Sequence, residues 1–167
     1  VTWADSRAAG IVREMKQDKE TCRKFYHKTG CPIHACYPLA KVLWFRKYNP
    51  DLFQKMQYVG SLKDYLFYNL TGEWVIDHST ASTSGMYNEE RMDWDEEILA
   101  FTGLRKEQLP EVRSTTYMGR LSKEAGNALE LPTGLPVVLG ATDGVLVNVG
   151  GGRSGKFLKA GIVLELN

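Results

Sequence analysis

PVVLGATDGVLVNVGGG, residues Pro136 to Gly152, sets a single carboxylate, Asp143, between two apolar runs. Two backbone paths fit this stretch. Val137-Val138-Leu139 is short, rich in β-branched residues and bounded by Pro136 and Gly140, as expected of a buried strand. Such a strand would deliver Gly140, Thr142 and Asp143 to a sheet edge, where open α/β sheets bind their ligands. Asp-Gly between alternating apolar residues is equally a hairpin signal, with Val145, Val147 and Val149 as the returning strand. Spacing alone leaves both paths open. In the first, Asp143 is the best candidate in the chain for chemistry; in the second it is a turn residue.

The 167 residues suffice for one domain with a real core, and a hydrophobic content of 43% supplies it. Twenty-one basic and twenty acidic side chains leave a net charge of +1, so no global field recruits nucleic acid or an anionic membrane. No apolar run approaches a membrane span, and no basic segment followed by an apolar one opens the chain. The expected compartment is the cytoplasm, and the triplet Asn69-Leu70-Thr71 has no meaning as a glycosylation site without export. Starting at Val1 and opening directly on a helix entry, the sequence reads as a piece of a longer protein.

From residue 2 to about residue 28, Ala8, Ile11, Val12 and Met15 fall on one face with Arg13, Lys16, Asp18 and Lys19 opposite, which predicts an amphipathic helix. Asp5 at its start reads most simply as a cap and Trp3 as core. Gly30 and Pro32 make residues 29–37 a loop. Pro38 opens a second helix that buries Leu39, Val42 and Leu43 and exposes Lys41 and Arg46. Asn49-Pro50 breaks it. Ser61 and Asp64 stand in capping-box relation, predicting a third helix over residues 61–70 that ends near Gly72. Residues 73–77 (EWVID) read as a strand, and the small hydroxyl run STASTSG that follows Asp77 and His78 reads as a tight turn or short helix. Asp93 is expected to cap a fourth helix burying Trp94, Ile98, Leu99 and Phe101. Residues 111–135 are loop-rich, with a short helix over residues 122–129.

Cys22, His27, Cys31, His34 and Cys36 invite a metal reading, but zinc sites show close pairs matched by a second pair. These five straddle a helix end without that pairing, so no metal site is expected. An odd number of cysteines without an export signal reads as reduced thiols. GGGRSGK at residues 150–156 matches a phosphate-binding loop in its glycines and lysine. It fails where Phe157 replaces the hydroxyl that would ligate Mg²⁺, and a glycine connector is the simpler reading.

Six blocks in order carry a resemblance. They are TWADSR (residues 2–7), GCPIHACYPLAKVLWF (30–45), GSLKDYLFYNLTG (60–72), IDHSTASTSGMYN (76–88), MDWDEEIL (92–99) and LPVVLGATDGVLVNVGGG (135–152). Together they resemble the FGGY family of carbohydrate kinases, within it the gluconokinase-like branch. The resemblance implies a helix-rich α/β fold: part of a ribonuclease H-like, actin-like ATPase domain, the second half of the N-terminal lobe of a sugar kinase. Residues 1–152 would form this partial substrate-binding domain. Residues 153–167 would be a divergent tail or the start of an interlobe connection, since the sequence departs from the family pattern there. The resemblance also favours the strand, acid, helix path through Asp143.

The activity implied is ATP-dependent phosphorylation of a hydroxyl on a sugar or sugar acid, gluconate first and xylulose-type or glycerol-type acceptors next. Asp143 would be the catalytic base, with Trp3 and Asp5 in a block that contacts substrate, His34 in a block that borders the pocket, and Gly144 beside the cofactor. ATP and Mg²⁺ are expected in the full-length parent and none tightly bound to this stretch. The expected partner is a small-molecule sugar or sugar acid, not nucleic acid or membrane, with a homodimer an open option. The alternatives are a truncated, non-catalytic remnant and an unrelated nucleotide-binding protein built on Gly150 to Lys156.

Overall fold

A computed structural model describes residue 2 and residues 4–150. Trp3, the residues after Gly150 and with them nearly all of the glycine-lysine loop and the 153–167 tail lie outside the described residues.

The helix expected over residues 2–28 is two: α1 (Ala9–Met15) and α2 (Lys19–Thr29). Asp18 divides them, because its carboxylate accepts the Thr21 N–H at 3.0 Å and so starts a new helix rather than continuing the old one. Gly30 ends α2 at φ 66°, a left-handed position that suits glycine. Pro38 opens α3 (Pro38–Tyr48) at its first turn, as expected. Asn49 both stops α3 and caps α4 (Pro50–Lys55) by accepting the Leu52 N–H. The Asn-Pro break is thus also a helix start, which the sequence reading missed. The capping box of Ser61 and Asp64 opens α5 (Leu62–Thr71), and Gly72 closes it.

β1 (Val75–Asp77) leads straight into α6 (His78–Ser82), so the hydroxyl run is a short helix. β2 (Tyr87–Asn88) and β3 (Asp93–Trp94) pair antiparallel. Asp93 therefore lies in a strand, and the cap of α7 (Glu96–Thr102) is Asp95, which accepts the Ile98 N–H. After a single 3₁₀ turn, β4 (Glu111–Arg113) pairs parallel with β1. β5 (Met118–Arg120) follows, then α8 (Lys123–Leu129), capped by Ser122. β6 (Pro136–Val138) pairs antiparallel with β5, with Met118 opposite Val138. The loop-rich 111–135 stretch thus hides two strands, each three residues long and too short for periodicity to reveal. α9 (Asp143–Gly150) follows β6. Residues 145–149 are helical, so the hairpin path is excluded. The strand before the acid is not the buried one expected: Pro136 and Val138 are exposed, and burial begins at Leu139.

Two apolar clusters hold these elements. The larger gathers Val12, Phe25, Leu39, Val42, Ile76 and Ile98 with their neighbours from α1, α2, α3, β1 and α7. Burying a side chain such as Ile98, fully enclosed, contributes roughly 1.5–3 kcal/mol. The smaller cluster, Phe67, Val75 and Leu139 with Tyr117 and Val137 against it, ties α5 and β1 to the end of β6. That second cluster positions the segment leading to Asp143. Among the described residues no helix is long and apolar enough to cross a membrane.

Candidate active site

The acid is presented by a short segment, residues 139–142, fastened to the fold on several sides. Leu139 buries its side chain against Phe67 and Val75, and its N–H donates to the Tyr117 carbonyl at 2.9 Å. Gly140 turns the chain at φ 73° and donates its N–H to the Thr115 carbonyl at 3.1 Å. Asp143 then opens α9 with an exposed side chain, one carboxylate oxygen accepting the Gly144 N–H at 2.7 Å. Among the described residues no cation pairs with Asp143. A carboxylate so placed keeps lone pairs free for a ligand hydroxyl.

Behind this segment lies a buried carboxylate, Asp77, with no solvent exposure. As the last residue of β1 it caps α6: Oδ1 accepts the Ser79 N–H at 2.9 Å and the Thr80 N–H at 3.1 Å, and Oδ2 accepts the Thr80 hydroxyl at 2.6 Å. The Ser79 hydroxyl also donates to Oδ1. The Lys63 ammonium, from the first turn of α5, sits 2.6 Å from Oδ2. Burial by itself would raise the pKa of Asp77, but the hydrogen bonds from Lys63, Ser79 and Thr80 outweigh it and hold the carboxyl below its usual range. Asp77 is therefore a fixed negative charge. Asp64, next to Lys63 in the chain, contrasts with it. Its Oδ2 accepts the Ser61 N–H at 2.7 Å, while Oδ1 is buried without a partner among the described residues. Burial pushes its pKa up to about 6, the Ser61 bonds and Lys63 opposing and the Asp77 charge adding.

Beside this network opens a cavity of ≈ 710 Å³, lined by Cys36, Tyr37, Lys41, Tyr58, Ser61 and Thr83 among others. Lys41, expected on an exposed helix face, is instead 7% exposed, and its ammonium donates to the Thr2 carbonyl. Arg46 is exposed as expected and donates to the Phe101 carbonyl at 2.8 Å. Asp5 does not cap α1: its carboxylate accepts the Arg7 Nε–H at 2.7 Å and the Arg7 backbone N–H at 3.0 Å. Those two bonds, with weaker help from the charges of Arg7 and Lys41, hold the Asp5 carboxyl below its usual range. Arg7 in turn stacks over the Trp44 ring at 4.8 Å. His34 is exposed, and its Nδ1 accepts the Cys36 N–H at 3.2 Å and lies 3.0 Å from the Cys36 Sγ. The cavity is thus lined by Cys36, with His34 shaping the turn behind it.

The N-terminal domain of the FGGY family of carbohydrate kinases matches residues 1–150. The chain belongs to the FGGY family of carbohydrate kinases. Gluconokinase of Bacillus subtilis is 36% identical over 151 residues, covering 90% of this chain and 29% of that protein. Two crystal structures from Lactobacillus acidophilus, described as gluconate kinase and as ligand-bound xylulose kinase, superpose with a TM-score of 0.87 at 32% identity, over 92% of this chain and 31% of each of theirs. The chain spans under a third of the length of these relatives. Its fold is that of the sugar kinases, α/β and helix-rich. Membership in this family leaves no place for an unrelated nucleotide-binding protein built on Gly150 to Lys156.

Within the FGGY domain, the two regions share elements. Ser61 and Leu62 at the start of α5 line the cavity while Lys63 reaches the 139–142 segment. Thr83, just past α6, lines it while Ser79, near the start of that helix, faces Thr142. The described residues place the cavity and the segment that carries Asp143 on shared elements, α5 and α6. No group of three His, Cys, Asp or Glu side chains among them could hold a metal ion. The N–H groups of Thr142 and Gly144, beside the acid, are already taken by Ser79 and Asp143. Gly144 has open space where a Cβ would point, so packing among the described residues does not demand glycine there. Sequence reasoning missed Lys63, Asp77, Ser79 and Cys36. For Asp77 a signal existed: Asp followed by Ser and Thr at the second and third positions is a helix cap.

Proposed function

We propose that this chain carries the acceptor side and the general base of an enzyme that transfers a phosphoryl group from ATP to a hydroxyl of a sugar or sugar acid. Gluconate is the first candidate acceptor, in line with the relatives named gluconokinase and gluconate kinase, and xylulose-type and glycerol-type acceptors come next. The observation that carries the reading is Asp143: an exposed carboxylate at the start of α9, with no paired cation among the described residues, on a segment bonded to α6. As the acceptor oxygen attacks the terminal phosphorus, its proton passes to an Asp143 carboxylate oxygen and ADP leaves. Positioning supplies most of the remaining rate. Asp5 would accept from an acceptor hydroxyl, with Trp3 as an apolar wall and His34 holding the pocket rim. ATP, Mg²⁺ and Gly144's place beside them belong to the full-length enzyme, in the cytoplasm.

Asp143→Asn in the full-length parent should lower turnover by a factor on the order of 10² to 10⁴ while leaving acceptor binding nearly intact, because the amide keeps an acceptor oxygen. Unchanged turnover would show that the acid is structural and that another group takes the proton, and a full-length parent without turnover would favour the reading of a non-catalytic remnant.

A further inference from the structure

Segment 139–142 is held at both ends by one buried carboxylate. At its start, the Lys63 ammonium donates to the Leu139 carbonyl at 3.1 Å while sitting 2.6 Å from Asp77 Oδ2. At its end, the Thr142 N–H donates to the Ser79 hydroxyl at 2.9 Å, and that hydroxyl spends its single proton on Asp77 Oδ1. The two oxygens of Asp77 therefore govern the two ends of the segment, each through one relay. The relays come from different elements, α5 and α6, and converge on a residue with no solvent exposure. Each donor and acceptor in the pair of relays is used with a consistent direction, so a relay that rotates away gives up its bond to the Leu139 carbonyl or to the Thr142 N–H.

Residue 143 follows immediately. The Thr142 N–H is one peptide removed from the Asp143 backbone, and Gly140, with φ 73°, turns the segment away from the buried Leu139 side chain that anchors its start. Without the Ser79 relay, the far end of the segment loses its only bond to α6 among the described residues. We propose that Lys63, Asp77 and Ser79 form a clamp that sets the position of Asp143, making Lys63 and Ser79 positioning residues for proton transfer. The assignment rests on Asp143 being the base. It also accounts for the hydroxyl run of residues 79–85, in which Ser79 fastens the acid-bearing segment while Thr80 completes the cap.

Ser79→Ala is the informative variant, because Asp77 keeps the Ser79 and Thr80 N–H bonds, the Thr80 hydroxyl and Lys63, so β1 and α6 retain their junction. In the full-length parent, Ser79→Ala should lower kcat about tenfold, a loss in keeping with a displacement of a fraction of an ångström at a reacting group. The acceptor KM should stay within about twofold and the melting temperature nearly unchanged. The decisive measurement is the double variant with Asp143→Asn. If Ser79 acts through Asp143, adding Ser79→Ala to Asp143→Asn costs little more, whereas a separate structural role would multiply the two losses. Wild-type kcat in Ser79→Ala, or losses that multiply in full, would overturn the clamp while leaving the base assignment standing. Full turnover by Asp143→Asn alone would remove the base and the clamp with it.

Discussion

Lys63 pairs with Asp77 and not with Asp64 beside it in the chain: the ammonium lies 2.6 Å from Asp77 Oδ2, while the Asp64 Oδ1 is buried without a partner among the described residues. One lysine thus leaves two neighbouring buried carboxylates in opposite states. Asp77 is held ionised by its donors, and Asp64 is pushed toward its protonated form by burial.

The pH dependence of stability follows from that contrast. An unfolded Asp titrates near 3.8, and folded Asp64 near about 6, so between these values the folded chain keeps a proton that the unfolded chain has released. Stability from Asp64 is therefore full below about pH 4 and falls as pH rises to about 6, by about 3 kcal/mol at most. Asp77, with its pKa lowered, works the other way, losing stability as pH falls below its unfolded value. Thermal melts of Asp64→Asn against the unmutated chain isolate the first contribution. The variant should gain relative stability from about pH 4 to about pH 6 and none beyond; a difference that stays flat across this window would show that Asp64 titrates normally.

Asp95 should be the costliest single carboxylate to remove from the larger core. It accepts from Lys28 at 2.9 Å, from Asn88 at 2.8 Å and from the Ile98 N–H at 3.1 Å, joining α2, β2 and α7. Asp95→Ala removes a helix cap and strands the buried Asn88 amide, a loss of about 2–4 kcal/mol. Urea denaturation reads it, and Glu97→Ala, whose exposed carboxylate pairs with Lys24 and half-buried Lys28, should cost under about 1 kcal/mol.

Gly119 and Gly10 make opposite predictions for the same change. A Cβ on Gly119, in β5, would lie 2.9 Å from both Phe67 Cζ and Thr71 Cγ2, so Gly119→Ala should destabilise by about 1–3 kcal/mol. Gly10 sits in α1 with only the end of Arg13 near a new methyl, at 3.9 Å, so Gly10→Ala should stabilise by about 0.5–1 kcal/mol. A raised melting temperature for Gly119→Ala would contradict the close approach of β5 to Phe67 and Thr71, and a lowered one for Gly10→Ala would contradict the open space beside α1.

Asp5 and Asp143 should separate kinetically in the full-length parent. Asp5 would hold an acceptor hydroxyl before and during reaction, so Asp5→Asn should raise the acceptor KM about tenfold with a smaller change in kcat. Steady-state kinetics against gluconate test this, and a pure kcat loss would move Asp5 into the reaction itself.

The chain by itself should not turn over ATP. Donor, metal and acceptor must be held together for phosphoryl transfer, and in the function proposed above the described residues would supply only the acceptor end. Sugar-dependent ADP release by the purified chain would overturn this.

Much of the local architecture is legible in the sequence because it is decided within a few residues. The capping box of Ser61 and Asp64, Pro38 at a helix start, and Gly30 and Gly72 at helix ends are short-range backbone chemistry, and each stands where the pattern puts it. Even the misreadings, Asp18 splitting one helix into two and Asp95 rather than Asp93 capping α7, concern which of several nearby caps the backbone uses. The acid of Asp143 is likewise visible, although spacing left its backbone path open between strand-to-helix and hairpin.

What the sequence could not decide is which distant groups meet. Lys63 reaches the Leu139 carbonyl across 76 positions, and Ser79 reaches Thr142 across 63. No periodicity encodes such pairs, because they exist only once α5, α6 and β6 pack on the Phe67, Val75 and Leu139 cluster. Lys41 reads as a solvated helix residue from its spacing, yet it is buried because the start of the chain folds over it and offers the Thr2 carbonyl. Sequence determined the caps, the helix ends and the family; the packing of elements far apart in the chain decided which charges are buried, which are paired, and what holds the acid in place.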